Sequence, residues 1–253
     1  MAARRSVPRL VGAGLLAAAL MALSGALVLV GLELRGREID LRLARAIETA
    51  PPALAPAMPP AWGDARPRVL VVGDSRVASW DPRPDIAPSR LVFSGIGGET
   101  SAELRRRLER DLRVLAPDRL VVAAGVNDLI AASLNPARAG AVLAGLETNL
   151  RAIADQARAA GIDVILLTVP RPARPGPVRR VLLWSDDLPG LVEAANARIR
   201  AMEAPGIRVL DADAALAGPP GTPLPADLAA DAVHFTPEAY TRLNALLTET
   251  FGG

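Results

Sequence analysis

The chain has 253 residues, 51% of them hydrophobic and 3% aromatic, so it can bury a sizeable core but must build it from aliphatic side chains. Its 29 basic residues are all arginine, it has no cysteine, and His234 is its one histidine. These counts exclude Schiff-base and lysine-base chemistry, thiol nucleophiles, disulfides, a lipobox, cysteine zinc sites and histidine-rich metal sites.

The net charge of +2 is unevenly spread. Residues 1–49 hold seven arginines against four acids, and the rest holds 22 against 23. The sequence pI near 10.2 reflects arginine never deprotonating, so no nucleic-acid partner is read from it.

Arg4, Arg5 and Arg9 precede an uncharged run of 23 residues, Leu10 to Leu32. At 1.5 Å per residue such a helix is about 34 Å long, enough to cross a bilayer core. Arginines before it and mixed charge after it predict a single-pass anchor, with the N-terminus inside and the remainder on the extracytoplasmic, periplasmic side of the inner membrane. A cleaved signal peptide is the other reading, with Ser24-Gly25-Ala26 as the small-residue site. The apolar run continues through Leu27 to Leu32, which a cleaved peptide does not need, and this favours the anchor. Glu33 to Thr49 reads as a charged juxtamembrane helix with a weak stripe of Leu34, Leu41 and Ala44. Ala50 to Pro67 carries six prolines and reads as a semi-rigid spacer, which puts the start of the domain at Arg68.

From there strands and helices alternate. Val69 to Gly73 is a short Val-rich run closed by glycine, and Leu91-Val-Phe93, Leu120 to Ala124, Val164 to Val169 and Ile207 to Leu210 follow as further strands. Helices are expected from Thr100 or Ser101 to Leu115, from Pro136 to Ala160 with Gly161 as stop, from Leu191 to Met202, and after Thr236 with Pro237 in its first turn. Arg105, Arg106, Arg107, Arg110 and Arg113 read as a solvated helix face. The alternation implies one five-stranded parallel sheet with helices on both faces.

Four short stretches fall where a site is expected, beyond the carboxyl ends of strands: Gly73-Asp74-Ser75, Gly95-Ile96-Gly97-Gly98-Glu99-Thr100, Gly125-Val126-Asn127-Asp128 and, before the last helix, Asp231-Ala232-Val233-His234. A serine hydroxyl is a poor nucleophile until a base takes its proton, and His234 is the only plausible base. Asp231, three residues earlier, is close enough to accept from its other ring nitrogen. The backbone N–H groups of Ser75 and Gly98 and the amide of Asn127 supply donors for a developing oxyanion, and glycine at 98 permits close backbone approach. Asp74 is expected to order the turn, Asp128 to hold its loop, and Asp211 and Asp213 to cap a loop. The serine context lacks the second glycine of G-x-S-x-G, which sets aside the α/β-hydrolase elbow.

In order and over residues 68–253, these blocks resemble the SGNH hydrolases, the GDSL esterase/lipase family. The resemblance implies a three-layer, flavodoxin-like fold and ester hydrolysis. It matches Ser75 to the nucleophile, Gly98 to the block-two glycine, Asn127 to the block-three asparagine, and Asp231 and His234 to the acid and base. Arg76 departs from the leucine in the family name, and Phe93 stands where many members carry asparagine. The reading is a membrane-anchored serine ester hydrolase needing no cofactor or metal and acting on a small-molecule, glycan or lipid ester. An O-acetyl esterase or acetyltransferase on envelope polysaccharide is a second reading, and an inactive anchored binding module a third. Arg76, Trp80 and Trp184 are expected at the substrate pocket. The insert Arg171–Pro189 is expected to wall that pocket, meet an anionic substrate, face the membrane, or form a plain surface loop.

Overall fold

The computed structural model describes residues 7–47, 65–182, 184–219 and 222–251. The chain forms two compact units, residues 1–41 and 42–253.

Helix α1, Val7–Ile47, makes up the first unit and enters the second with its last residues. Its large apolar side chains from Leu20 to Leu32 are 53–70% exposed. Side chains before Leu20 lie outside the described residues, and with them half of the expected span Leu10–Leu32. Among the described residues no helix is long and apolar enough to cross a membrane. Most of the expected proline-rich spacer, residues 50–64, also lies outside them.

The second unit reaches back beyond Arg68 to Arg42. The expected stripe of Leu34, Leu41 and Ala44 is exposed; the buried pair is Leu43 and Ala46, one turn apart. The Arg45 carbonyl accepts from Thr100 Oγ1 at 3.0 Å, so this last turn is held by the globular unit.

Five strands form its sheet: β1 (Arg68–Gly73), β2 (Arg90–Gly95), β3 (Arg119–Ala123), β4 (Asp163–Leu167) and β5 (Ile207–Leu210). All neighbours pair in parallel, in the order β2-β1-β3-β4-β5. This is the flavodoxin-like order, and its switch point, where ligands bind, lies between β1 and β3. Gly73 is in register with Gly95 on one side and Ala123 on the other, so three strands end level there.

Strand residues alternate between two cores. Leu70, Val72, Leu120, Val122, Val164 and Leu166 face one cluster, and Val69, Val71, Val121, Ile165 and Leu167 face the other. The first is covered by α3 (Ser101–Leu115), α4 (Val126–Leu134), α5 (Pro136–Ala159) and α7 (Leu188–Arg200). The second is covered by α2 (Ser75–Ala78), α8 (Ala212–Leu216) and α9 (Pro237–Phe251), while α6 (Pro177–Leu182) lies in the insert after β4. The five strands and four main helices fall where the sequence puts them; α2, α4, α6 and α8 are additions.

Helix α3 starts at a full capping box. Glu103 N donates to Thr100 Oγ1 at 3.4 Å, and Thr100 N donates to Glu103 Oε2 at 2.9 Å. Its position over β1 and β2 fixes the glycine loop between β2 and α3.

Candidate active site

Strand β1 stops at Gly73, and Asp74 caps the single turn of α2, its Oδ1 accepting from Arg76 N at 2.9 Å. Ser75 is the first residue of that turn and is half-buried at the switch point. The turn can lie on β2 because Gly95 has no side chain: a Cβ there would come within 2.1 Å of Ala78 N.

The segment before α9 brings His234 to Ser75. Asp231 shapes it by accepting from Val233 N at 2.7 Å and His234 N at 2.9 Å through Oδ1. Its Oδ2 lies 2.7 Å from His234 Nδ1, and His234 Nε2 lies 2.9 Å from Ser75 Oγ. These partners select the tautomer protonated at Nδ1, which leaves the Nε2 lone pair facing the serine hydroxyl. Burial raises the Asp231 pKa, but the hydrogen bonds from His234 and from the two backbone N–H groups outweigh it and bring the carboxyl to about 2. Asp231 is therefore an anion across the neutral pH range.

The other expected residues leave the sheet beside them. Gly98 is exposed, with φ +75°, a left-handed conformation that glycine adopts without strain. Asn127 sits in the first turn of α4 and donates Nδ2 to the Glu99 carbonyl at 2.9 Å. An amide carries two N–H groups and this bond uses one. Asp128 is fully buried, accepting from Ser101 N at 2.9 Å and from Ser101 Oγ at 2.6 Å, while Asn149 Nδ2 donates to Ser101 Oγ at 3.1 Å. Burial raises the Asp128 pKa to about 7 against the pull of those bonds. It holds the loop, as expected.

One expectation changes here. The arginine face of α3 is not uniformly solvated, because Arg107 turns inward with its side chain 13% exposed. Its Nε and Nη2 grip both oxygens of Glu99 at 2.5 and 2.7 Å, and it also donates to the Ser94 carbonyl, Ser94 Oγ and Asp111. A guanidinium fork fits several acceptors at once, and here they lie on β2, on the glycine loop and on α3. Of the residues expected at the pocket, Arg76 and Trp80 line a small interior cavity beside Asp74. Trp80 is 3% exposed, packs 5.8 Å from Phe93 and 5.4 Å from Tyr240, and donates Nε1 to Asn244 Oδ1 at 2.8 Å. Arg76 is 5% exposed and lies beneath the turn. Both are interior because α2 folds back over the sheet. Trp184 is half-buried against the first core cluster.

The insert is pinned at its start: Arg171 binds both oxygens of Asp213 and the Thr222 carbonyl, so this arginine is committed within the fold. Asp211 caps α8 and accepts from Arg200 at 2.8 Å. Among the described residues no cluster of His, Asp or Glu could hold a metal ion. The sequence did not reveal the roles of Arg107 and Glu99, nor Ser101 and Asn149 as the network around Asp128. Its available signal was positional: Arg107 and Asp111 lie within the i, i+3, i+4 stripe of Leu104, Leu108 and Leu112.

This fold and this sheet edge define an ester hydrolase of the three-layer α/β kind. The chain belongs to the GDSL-like lipase/acylhydrolase family, whose model matches residues 61–242. It is similar to a GDSL-like lipase from Bacteroides thetaiotaomicron, at 27% identity and TM-score 0.59, over 75% of this chain and 92% of that one. An acetyl xylan esterase from Geobacillus stearothermophilus shares the fold at 20% identity and TM-score 0.58, over 74% of this chain and 94% of that one. No curated protein matches the sequence in a direct comparison.

Proposed function

We propose that the protein is a serine ester hydrolase that works through Ser75, His234 and Asp231. The observation that carries this reading is the unbroken relay from Ser75 Oγ to His234 Nε2 at 2.9 Å and from Nδ1 to Asp231 at 2.7 Å. In it, Ser75 Oγ attacks the ester carbonyl as its proton passes to Nε2. The imidazolium that forms is stabilised by Asp231, already an anion, and then gives the proton to the leaving alkoxide. The oxyanion takes N–H donors from Ser75, Gly98 and Asn127. Water, activated by the same imidazole, then releases the acid from Ser75.

A fluorophosphonate probe tests this. The wild-type protein labels once, at Ser75, and Ser75→Ala does not label while its fold persists. Labelling that survives in a folded Ser75→Ala protein removes Ser75 from the mechanism.

A second reading narrows the substrate to O-acetyl groups on polysaccharide, removed by hydrolysis or passed to another hydroxyl. It is supported by the acetyl xylan esterase of like fold. Rates on p-nitrophenyl esters of rising chain length, beside acetylated glycans, decide it; a preference for long acyl chains argues against it.

The same proposal holds the enzyme in the membrane, facing outward, through the run Leu10–Leu32. Its support is the uncharged sequence behind Arg4, Arg5 and Arg9 and the wholesale exposure of apolar side chains from Leu20 to Leu32. Carbonate extraction should leave the chain in the membrane pellet; a soluble mature chain beginning near Leu27 refutes the anchor.

A further inference from the structure

Arg76 follows Ser75 directly in the chain, yet its guanidinium reaches across to the segment bearing His234. Its Nε donates to the Val233 carbonyl at 2.8 Å and its Nη1 to the Pro170 carbonyl at 3.2 Å. The guanidinium lies 4.6 Å over the Phe235 ring, and the Arg76 carbonyl accepts from Tyr240 Oη at 2.8 Å. Val233 and Phe235 are the two neighbours of His234. The segment after β4 is drawn into the same tie, since Ala173 N donates to the Ala232 carbonyl at 3.0 Å.

The side chain is 5% exposed, and its Nη2 is buried without a hydrogen-bond partner among the described residues, beside a small cavity shared with Asp74, Trp80, Val126 and Leu243. Burying a cationic fork with one nitrogen unsatisfied is costly, and the charge is offset by the buried Asp74 carboxylate, whose pKa burial raises and Arg76 pulls back down. What an aliphatic side chain cannot do is donate to the carbonyls of Val233 and Pro170.

We propose that Arg76 is a positioning residue, which clamps the His234 segment against the Ser75 turn and so sets the separation of base and nucleophile. This deepens the triad reading and rests on it. Ser75 to Arg76 and Val233 to His234 are each one residue step, so the Oγ–Nε2 contact and the Nε–carbonyl bond close a ring between two segments that lie 159 residues apart for the first pair and 157 for the second. Loosening one side of that ring lets the other open. Arg76 touches no reacting atom; it acts through His234.

The test uses the full chain with Arg76→Leu and Arg76→Lys. In folded Arg76→Leu, fluorophosphonate labelling of Ser75 and kcat on p-nitrophenyl acetate fall roughly tenfold or more, because small misplacements of a base are expensive. KM stays within about twofold, since substrate binding is untouched. Lysine keeps the charge but is a point donor, so Arg76→Lys falls between the two. A third readout is the low-field proton signal of the His234–Asp231 bond, which this chain, with one histidine, shows once. It broadens or vanishes in Arg76→Leu and persists in part in Arg76→Lys.

A folded Arg76→Leu protein that labels at the wild-type rate with its low-field signal intact overturns the proposal. If Arg76→Leu does not fold, Arg76→Lys decides, and wild-type kinetics there overturn it equally. Absence of labelling at Ser75 in the wild type refutes the triad itself, which keeps the two failures distinct.

Discussion

Replacing Arg107 with methionine removes the arginine that braces the glycine loop and leaves Glu99 buried without its partner. The Glu99 side chain is 4% exposed and that of Arg107 13%, so water screens this pair little. Removing one partner of a buried ion pair costs about 3–5 kcal/mol, because the remaining charge is uncompensated. In a domain of this size each kcal/mol lowers Tm by about 2–4 °C, so the expected loss is about 6–20 °C. Burial already raises the Glu99 pKa, and Arg107 opposes it. Without Arg107 the folded carboxyl holds its proton to higher pH, while the unfolded one releases it around the ordinary 4.5. The folded state then binds more protons than the unfolded state above that pH, so the variant's deficit grows as pH rises. Turnover should fall as well, since the Glu99 carbonyl is the acceptor for Asn127 Nδ2. Thermal unfolding by circular dichroism at pH 5 and pH 8, with ester hydrolysis alongside, measures each part. The double variant Arg107→Met, Glu99→Gln should recover part of the loss, because both charges leave together. A Tm drop below about 2 °C, or a double variant no more stable than the single one, refutes the reasoning.

His234→Ala and Asn127→Ala should both lose activity, for different reasons. Without His234 no base takes the Ser75 proton, and losses of several orders of magnitude are usual for triad members. Asn127→Ala removes one oxyanion donor and lowers turnover roughly 10²–10³-fold. A His234→Ala enzyme that kept wild-type turnover would overturn the triad. Asp128, with its folded pKa raised to about 7, binds a proton that the unfolded chain releases near 3.8, so its contribution to stability falls as pH climbs between those values. Urea unfolding of Asp128→Asn should be flatter than wild type from pH 4 to pH 7, and identical slopes would deny the burial argument. Gly95→Ala should destabilise by about 1–3 kcal/mol or more, since its Cβ would meet backbone at 2.1 Å; an unchanged urea midpoint would refute the close packing of α2 on β2.

The sheet was legible because each strand is a short aliphatic run punctuated by Gly, Pro or a polar cluster, and parallel burial on both faces demands just that pattern. The start of α3 was legible to within one residue, since Thr100 and Ser101 both suit a cap; the structure selects Thr100, with Glu103 closing the capping box. Helices α2 and α8 were not, since four or five residues are too few to show a period. Helix α4 was hidden for the opposite reason: Leu129, Ile130, Ala131 and Ala132 are all buried, so it has no polar face to mark it. In the candidate site, Ser75, Asp231 and His234 could be picked out by residue type, because few side chains can do the acyl-transfer chemistry proposed for them. Their support could not. Arg107 read as a surface charge and Arg76 as a pocket residue, and only tertiary contact reveals that one braces β2 and the glycine loop while the other spans to the His234 segment. The burial of Trp80 was equally hidden: it lies in the core and lines a small cavity shared with Asp74 and Arg76.

In the proposed triad, the long chain separation between Ser75 and His234 has a consequence for when hydrolytic power appears. A polypeptide emerging from the ribosome carries Ser75, the glycine loop and Asn127 well before it carries the imidazole, and contacts so distant in sequence are slow to close. If Ser75 is activated by His234 as proposed, it stays an ordinary alcohol until the segment ending at Phe235 docks beside the turn after β1. A nascent or half-unfolded chain is thus chemically silent toward nearby esters, and regained turnover during refolding marks the completion of the last long-range contact, not the arrival of the sheet.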